Sequence, residues 1–432
     1  MAAKEFSVNS HHDVIVVGAG AAGLAAGARL HNAGVDVLVL EAAERTGGRA
    51  LTDTATFGVA WDRGCHWLHS ASVNPLRAAA DELGLAYLTR GSRQARATHL
   101  GNRWADEAER EAVWQAIDGG FAAIHQAGDE GRDIAASEVL DTSSPWLRLI
   151  RHWATLMTAT EVERVSTLDY AAYSDTAENY PVEKGYGALV QAVARKAAPD
   201  LPIHTGCPVT RIDWSGAEVA LETPRGRLAA RAVIVAVPTT VIARGALSFA
   251  PLLPPELAEA FEALPLGAAE KVAIHFDRDV FGLPATTYVD TLDLRDPDRR
   301  PINFTLNPFG APMAIGQLAG DNAARLVKAG PKAMEAFALD ALKDAFGAEI
   351  ARHVTGIATT GWVADPFIGG AYSCALPGLA HMRARLSQSL GERVFFAGEA
   401  VSAHAYSTAH GAHLTGQAAA DAVQARLAGR AA

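Results

Sequence analysis

The stretch DVIVVGAGAAGLAAGARL, residues 13–30, carries the strongest indication of the fold class. Its first five residues end in a continuous apolar, β-branched run, which is typical of a buried parallel strand. Gly18, Gly20 and Gly23 then fit the G-x-G-x-x-G pattern at the turn into a helix whose small residues include Ala22. These glycines permit a tight turn, close approach to a pyrophosphate and close contact between helix and strand. The N–H groups at the helix N-terminus would face that pyrophosphate.

A second strand and an acid strengthen this interpretation. VDVLVL, residues 35–40, is followed by Glu41, which lies 23 residues after Gly18. An acid about 20 residues after the first glycine binds ribose hydroxyls in this motif, so the spacing predicts a bound adenosine diphosphate group. The next residues add Gly48 and Arg49, a forked donor for phosphate or for a flavin edge. An exposed loop arginine is the alternative, and NAD or FAD remains open at this point.

Length, charge and cysteine content limit the classes of function that the protein can have. The chain has 432 residues, with 38 Lys plus Arg against 48 Asp plus Glu and a formal net charge of −10. The length predicts two to three domains, or two interleaved ones. An acidic chain without a Lys/Arg block is a poor nucleic-acid binder, and no apolar run reaches the roughly 18 residues of a membrane helix. Three distant cysteines do not make a disulfide framework or a zinc site. With no export signal at the N-terminus, the sequence predicts a cytoplasmic enzyme without a metal.

The chain resembles the flavin-dependent amine oxidase family, which includes the monoamine and polyamine oxidases. The resemblance is carried by VIVVGAGAAGLAAGARL, EAAERTGGRA, WDRGCHWLH, KGYG, VIVAVP, EKVAIHF, GWVADPFIGGAYS and FAGEAVSAHAYSTAHGAHLTG, in this order. The last segment is most similar to polyamine oxidases of the spermine-oxidising kind. The resemblance implies FAD and oxidation of a C–N bond by hydride transfer from the α-carbon to the flavin. The imine would be hydrolysed to an aldehyde and an amine, and O2 reduced to hydrogen peroxide.

The resemblance also implies an α/β fold with two interleaved domains. A Rossmann-like FAD-binding domain of the glutathione-reductase type would comprise residues 1–75, 184–248 and 386–432. An α+β substrate domain with an antiparallel sheet would comprise residues 76–183 and 249–385. Residue patterns predict β-hairpins over 202–237, strands at 271–276, 302–306 and 313–318, and helices at 74–84, 104–127, 333–346 and from about Thr408 to Leu427.

The resemblance assigns a set of residues to the cofactor. They are Gly18, Gly20, Ala22, Gly23, Glu41, Gly48, Arg49, Gly64, Cys65, His66, Trp67, Val209, Trp362, Gly398, Glu399, Thr408 and Ala409. The segment from Gly64 to Trp67 would run along the flavin ring, and Glu399 would bind the ribityl chain. The helix from about Thr408 would direct N–H groups, that of Ala409 among them, at the flavin and stabilise its reduced form.

Noncovalent FAD is expected. In monoamine oxidases a cysteine just before the cage tyrosine attaches the flavin, and that position is Ala371 here. Cys374 lies three residues later and is expected to point elsewhere.

Lys271, His69 and Tyr372 are the candidate catalytic residues. The resemblance places Lys271 beside flavin N5, where it would hold a water for the oxidative half-reaction; the alternative is a solvated lysine at a strand end. The resemblance implies that His69 faces the substrate, and a pKa near about 6.5 would suit a partner or base for an amine; a loop histidine is the alternative. Tyr372 would form one wall of an aromatic cage over the flavin, the alternative being a half-buried strand tyrosine.

The second wall of that cage is missing from the sequence. Monoamine oxidases have a tyrosine there, and the corresponding position is Thr408, which argues against a monoamine oxidase proper. Tyr406 or Trp362 would compensate. His69, Tyr372, Tyr406 and Thr408 are therefore the expected substrate contacts.

The expected partners are a polyamine or related aliphatic amine and O2, with the protein a monomer or homodimer. Acids would pair with distal ammonium groups, and the sequence leaves the choice open among Glu161, Glu163, Asp169, Asp175 and Glu178. Three alternatives remain. They are an oxidase or dehydrogenase of amino acids or cyclic amines, a carotenoid-desaturase-like enzyme, and a flavin-fold binding protein without turnover. An amino-acid substrate would need an arginine for its carboxylate, and Arg77 is the nearest candidate.

Overall fold

The computed structural model describes residues 10–90 and 95–429, so most of the N-terminal stretch searched for an export signal lies outside the described residues. The strands, in chain order, are β1 (Ser10–Val17), β2 (Val37–Leu40), β3 (Thr52–Asp53), β4 (Trp61–Asp62), β5 (Trp67–Leu68), β6 (Arg96–His99), β7 (Tyr180–Pro181), β8 (Ile203–His204), β9 (Arg211–Asp213), β10 (Val219–Thr223), β11 (Gly226–Val235), β12 (Ser248–Ala250), β13 (Ala269–Phe276), β14 (Thr287–Thr291), β15 (Ile302–Leu306), β16 (Met313–Ala319), β17 (Val354–Thr359) and β18 (Val394–Phe396). The α-helices are α1 (Ala21–Asn32), α2 (Pro75–Glu82), α3 (Glu107–Asp129), α4 (Leu147–Thr158), α5 (Thr167–Ala171), α6 (Tyr186–Ala197), α7 (Thr239–Ala243), α8 (Pro255–Ala263), α9 (Gly320–Ala329), α10 (Pro331–Phe346) and α11 (Ala409–Gly429).

The larger sheet is built around β1, whose residues 14–17 are buried because the run is apolar on both faces. Its strand order is β12-β9-β10-β11-β1-β2-β8, and β18 also pairs with β11. β1 is parallel to both β2 and β11. α1 and α11 cross closely, since a Cβ on Gly416 would lie 2.1 Å from the Ala22 carbonyl oxygen. The predicted α/β fold is confirmed by this sheet.

The second sheet has six strands in the order β17-β13-β16-β15-β14-β6. Its pairings are antiparallel except that of β14 with β6. The apolar side chains of β13, β15 and β16 pack with those of α9 and α10 in one core, which includes Phe276, Phe304 and Leu342. On the opposite face, Ala273 packs with Trp61, and neighbouring polar side chains border a cavity between the two sheets.

The predicted elements exist, most of them with shifted ends, and six α-helices, α4 to α9, were not predicted. α4, α6 and α9 all lie in segments with one apolar face; in α9, Ala323 and Leu326 are buried against β13 and β16. The predicted division at residue 248 falls inside β12, which pairs with β9 of the larger sheet. The domain ranges stay a prediction. Among the described residues, no helix is long and apolar enough to cross a membrane.

Candidate active site

One cavity of about 620 Å³ lies between the two sheets. The turn after β1 and the end of β2 form one end of it, and residues of the second sheet form the other. Every residue assigned above to the cofactor or the substrate lines this cavity except Gly23. The sequence-based candidates, which come from distant parts of the chain, are therefore brought together at one site.

Gly23 supports the site from behind the cavity wall. A Cβ at Gly23 would lie 1.8 Å from the carbonyl oxygen of Gly18, so the helix can approach the strand only because this residue has no side chain. Gly18 has a φ of +101° and donates its N–H to the Leu40 carbonyl, 2.7 Å away. Gly20 lines the cavity, with open space where a Cβ would be. The glycine pattern thus leaves room for a ligand along the turn.

Glu41 at the end of β2 fixes the same turn. Its two carboxylate oxygens accept backbone N–H groups, from Ala19 at 2.6 Å and from Ala43 at 2.8 Å. Burial raises the pKa of this carboxyl group, while the two N–H groups oppose the rise. A carboxylate has about four acceptor sites, so lone pairs remain for ribose hydroxyls.

The side of the cavity that faces Gly18 and Glu41 also fits a dinucleotide. Gly48 has a φ of +56° and lies against Gly20, since a Cβ there would be 3.3 Å from the Gly20 Cα atom. Gly398 has a φ of +142° and open space beside it. Thr408 caps α11: its hydroxyl accepts the Gly411 N–H at 3.0 Å and donates to the Ala405 carbonyl at 2.6 Å. Two helix N-termini and glycine-lined space are what a bound FAD requires.

Arg49 and Glu399 are paired with each other. Arg49 Nη1 lies 3.0 Å from Glu399 Oε1 and also donates to the Ala371 carbonyl. The other oxygen of Glu399 accepts from Ser373 Oγ at 2.7 Å and from the Ser407 N–H at 2.9 Å. Burial alone would raise the pKa of Glu399, but Arg49 and Ser373 outweigh it and the pKa is lowered. Their contacts with the cofactor stay predictions.

Lys271 on β13 is held by backbone carbonyls. Its Nζ donates to the carbonyls of Asp62 at 2.8 Å and Gly64 at 2.7 Å. An ammonium has three donors, so one remains for the cavity. Burial lowers the pKa of this amine. Lys271 is thus anchored to the segment that is predicted to follow the flavin ring.

His69 has one ring nitrogen engaged. Its Nδ1 lies 2.5 Å from Asn179 Oδ1, which makes Nδ1 the donor and leaves Nε2 as an acceptor. Burial lowers the pKa of His69, while Asn179 and Asp175 act in the opposite direction. The neutral imidazole is therefore favoured, and it can accept an N–H from an amine.

The tyrosines of the predicted cage are fixed through their hydroxyls. Tyr372 donates to the Leu156 carbonyl. Tyr406 donates to the Asp169 carbonyl at 2.6 Å, and its ring centroid lies 3.9 Å from Cζ of Arg383. Arg383 in turn forms a buried ion pair with Asp169 at 2.7 Å. The rings are therefore held in the cavity wall by protein contacts.

Only one of the five candidate acids, Asp175, lines the cavity. It is exposed, and its Oδ1 accepts the Ala177 N–H at 2.8 Å, while Oδ2 has no hydrogen bond to any described residue. Asp169 pairs with Arg383 in the protein interior and Glu163 pairs with Arg151. The remaining two acids bind backbone N–H groups: Glu161 that of Asp321, and Glu178 that of Ser72.

The second sheet contributes residues that sequence reasoning missed. They are Arg96, Tyr288, Asn303 and Gln317, together with Trp153 of α4. The strand prediction contained a signal for two of them, since Asn303 and Gln317 are polar positions in otherwise apolar runs. Nothing local marked Arg96, which forms a buried ion pair of 3.0 Å with Asp290. Arg77 does not line the cavity and contacts Tyr87 instead.

A cavity with a glycine turn, two helix N-termini and an anchored lysine fits a bound dinucleotide cofactor. The model of the family described as flavin-containing amine oxidoreductase matches residues 21–103 and 136–424. The chain therefore belongs to this family and is an FAD-dependent amine oxidoreductase.

Individual relatives agree with the family. The chain is 29% identical to polyamine oxidase 4 of Oryza sativa subsp. japonica, over 96% of this chain and 89% of that protein. It is 27% identical to human lysine-specific histone demethylase 2, over 93% of this chain and 52% of that protein, about half its length. A solved structure of putrescine oxidase bound to putrescine superposes with a TM-score of 0.77 at 21% identity, covering 97% of this chain and 100% of that one. That likeness shows the shared fold.

Proposed function

We propose that the enzyme oxidises polyamines or related aliphatic amines that carry a second positive charge, with O2 as the acceptor and hydrogen peroxide as a product. The observation that carries the proposal is Asp175, whose carboxylate lies in the cavity wall with one oxygen unused by the described residues. FAD, when bound, accepts the two electrons of C–N oxidation. The protein residues have to bind, orient and deprotonate the amine.

His69 and Lys271 support the reacting end. An alkylamine is mostly protonated in water, so the site must favour its neutral form. His69 offers Nε2 as an acceptor for an amine N–H, and the same burial that lowers its pKa disfavours an ammonium ion nearby. Lys271 has a lowered pKa for the same reason, and it would hold water for the oxidative half-reaction.

Asp175 would bind the second charge. Tyr170 and Tyr173 line the same part of the cavity. Burial, and next the charge of Asp175, raise the pKa of both phenols, that of Tyr173 to about 12. Two neutral aromatic rings beside a carboxylate favour an ammonium group through cation–π attraction and charge pairing.

We also propose that FAD is bound noncovalently. Cys65 and Cys374 both border the cavity, and Cys374 also belongs to a buried apolar cluster with Val165 and Leu292. Burial raises the pKa of both thiols, that of Cys65 to about 12, and a thiol is a poor nucleophile. Acid precipitation should leave the yellow colour in the supernatant.

Three further parts of the proposal concern the protein as a whole. We propose a cytoplasmic location, a monomer or homodimer, and the domain division given above.

Anaerobic flavin bleaching tests the substrate class. The protein is mixed with putrescine, cadaverine, spermidine and spermine, each matched with an n-alkylamine of similar length. We expect each diamine or polyamine to bleach the flavin faster than its matched alkylamine. Air should restore the flavin absorbance, with release of hydrogen peroxide. Bleaching by alkylamines alone would overturn the role of a second cation. Bleaching by amino acids or cyclic amines alone would favour the alternative substrates.

A further inference from the structure

Four polar side chains form one row across the second sheet. Lys271 on β13 is opposite Gln317 on β16, Gln317 is opposite Asn303 on β15, and Asn303 is opposite Asp290 on β14. Opposed residues of antiparallel strands share one face, and the first three line the cavity. With strands about 4.8 Å apart, Gln317 lies about 5 Å and Asn303 about 10 Å along the row from Lys271.

At the far end of the row, Asp290 is ion-paired and does not line the cavity. Asp290 Oδ1 pairs with Arg96 at 3.0 Å and accepts from Asn303 Nδ2 at 2.6 Å. Asn303 therefore keeps its carbonyl oxygen for the cavity. The Gln317 side chain makes no hydrogen bond with the part of the chain that the structure describes, so its amide retains both donors and its acceptor.

No carboxylate along this row is available for a cation. Asp290 is neutralised by Arg96. Glu270, beside Lys271 on β13, accepts from Thr360 Oγ1 at 2.5 Å and from the Val363 N–H at 2.9 Å. Asp62, whose charge acts on Lys271, is bound by Thr52, His66 and the Tyr186 N–H and does not line the cavity. An ammonium group placed here would therefore face the Lys271 amine without an available counter-charge. An uncharged amide fits instead, because Gln317 can donate to its carbonyl and Asn303 can accept its N–H.

We propose that Gln317 and Asn303 form a subsite for an uncharged amide group of the substrate, about one to two strand spacings from the carbon oxidised beside Lys271. The proposal rests on the proposed function only for the position of that carbon. A suitable substrate is an amine whose amide end lies on this row and whose charged end extends toward Asp175.

Binding without turnover tests the subsite directly. The probes are N-butylacetamide, which has no oxidisable amine, and tert-butylamine, whose α-carbon carries no hydrogen to transfer. Each is titrated into the flavin-loaded protein while the flavin absorbance is followed. We expect the amide to bind wild type and to bind Gln317→Leu about tenfold more weakly. Gln317→Glu should weaken the binding of the amide and strengthen the binding of the ammonium ion. The matched control is Gln115→Glu, on the exposed surface of α3, which should change neither affinity.

The second measurement uses substrates. Flavin reduction is compared for putrescine and N-acetylputrescine in wild type and Gln317→Glu. A ratio that shifts about tenfold toward putrescine in the variant supports the subsite. An amide affinity that is the same in wild type, Gln317→Leu and Gln317→Glu overturns it. If neither amine reduces the flavin but the amide affinities change as expected, the proposed function fails and the subsite stands.

Discussion

The two ends of the cavity differ in how their polar groups are used. At the cofactor end, Glu41 already accepts two backbone N–H groups and Glu399 is paired with Arg49. At the substrate end, Gln317 and Oδ2 of Asp175 have no partner among the described residues. The first end is fixed by the protein itself, whereas the second keeps hydrogen-bonding capacity for a ligand. Changes at the first end should therefore affect cofactor retention, and changes at the second should affect substrate choice.

The largest expected effect is at the glycine turn. Gly23→Ala would place a Cβ 1.8 Å from the Gly18 carbonyl oxygen, which forces α1 away from β1. We expect loss of nearly all bound flavin, measured as flavin absorbance relative to protein absorbance. The control is Gly119→Ala in α3, where a Cβ would meet nothing within 4 Å. A Gly23→Ala protein that retains its flavin would contradict the role of this turn in holding the cofactor.

The second-largest effect is expected for Lys271→Met, because this residue lies between the cofactor end and the substrate end of the cavity. Without its ammonium group the water expected beside the flavin loses its donor, and we expect flavin reoxidation by O2 to slow about 100-fold. FAD should stay bound. Stopped-flow reoxidation measures the rate, and Lys332→Met, at an exposed position of α10, is the control. Unchanged reoxidation would exclude this role for Lys271.

A pH effect should arise from His410 in the first turn of α11. This residue is 3% exposed, its Nδ1 has no partner among the described residues, and burial lowers its pKa to about 4. The unfolded chain binds the proton near pH 6.5 and the folded chain does so only near pH 4. The free energy of unfolding should therefore fall as pH drops through this interval, by about 2 kcal/mol at pH 5.

Urea denaturation at about pH 7.5 and about pH 5 measures this change. His410→Gln should lose about 2 kcal/mol less than wild type on acidification, whereas His381→Gln, at an exposed position, should behave as wild type. Equal losses in all three proteins would assign the acid sensitivity elsewhere.

The smallest effect is expected at the cavity opening. Asp175 is exposed, so water and salt screen its attraction for an ammonium group. Asp175→Asn should raise the KM for a diamine about fivefold, leave that for an alkylamine unchanged, and reduce the dependence on salt. Glu163→Gln, which removes an acid paired with Arg151, is the control. An equal change for both amines would contradict pairing with a second charge.

The sequence predicts the cofactor end better because its signals are local. Gly18, Gly20, Gly23 and Glu41 lie within 24 residues, and each has a backbone task that few other residue types can perform. The substrate end is assembled from strands and loops far apart in the chain. Asp169 is an example. Nothing in the sequence near it distinguishes it from the other candidate acids of the channel, because its partner Arg383 lies 214 residues further on.

Part of the polar row of Lys271, Gln317 and Asn303 could have been predicted from the sequence. The strands at 302–306 and 313–318 were predicted correctly, and a polar residue inside an apolar strand indicates a face that is not packed core. Asn303 and Gln317 therefore marked a cavity face, but the register that places them beside Lys271 depends on pairing between strands. Pairing follows from the whole fold, and local pattern does not determine it.

The order of strands in the larger sheet has a consequence for biosynthesis. β1 is synthesised before the other described strands, but its neighbour β11 follows about 200 residues later, and β18 and α11 come later still. Contacts over such distances in sequence form slowly. The nascent chain therefore carries β1 with one edge unpaired until β11 has been made, and the cofactor end of the cavity is complete only after α11 has been made.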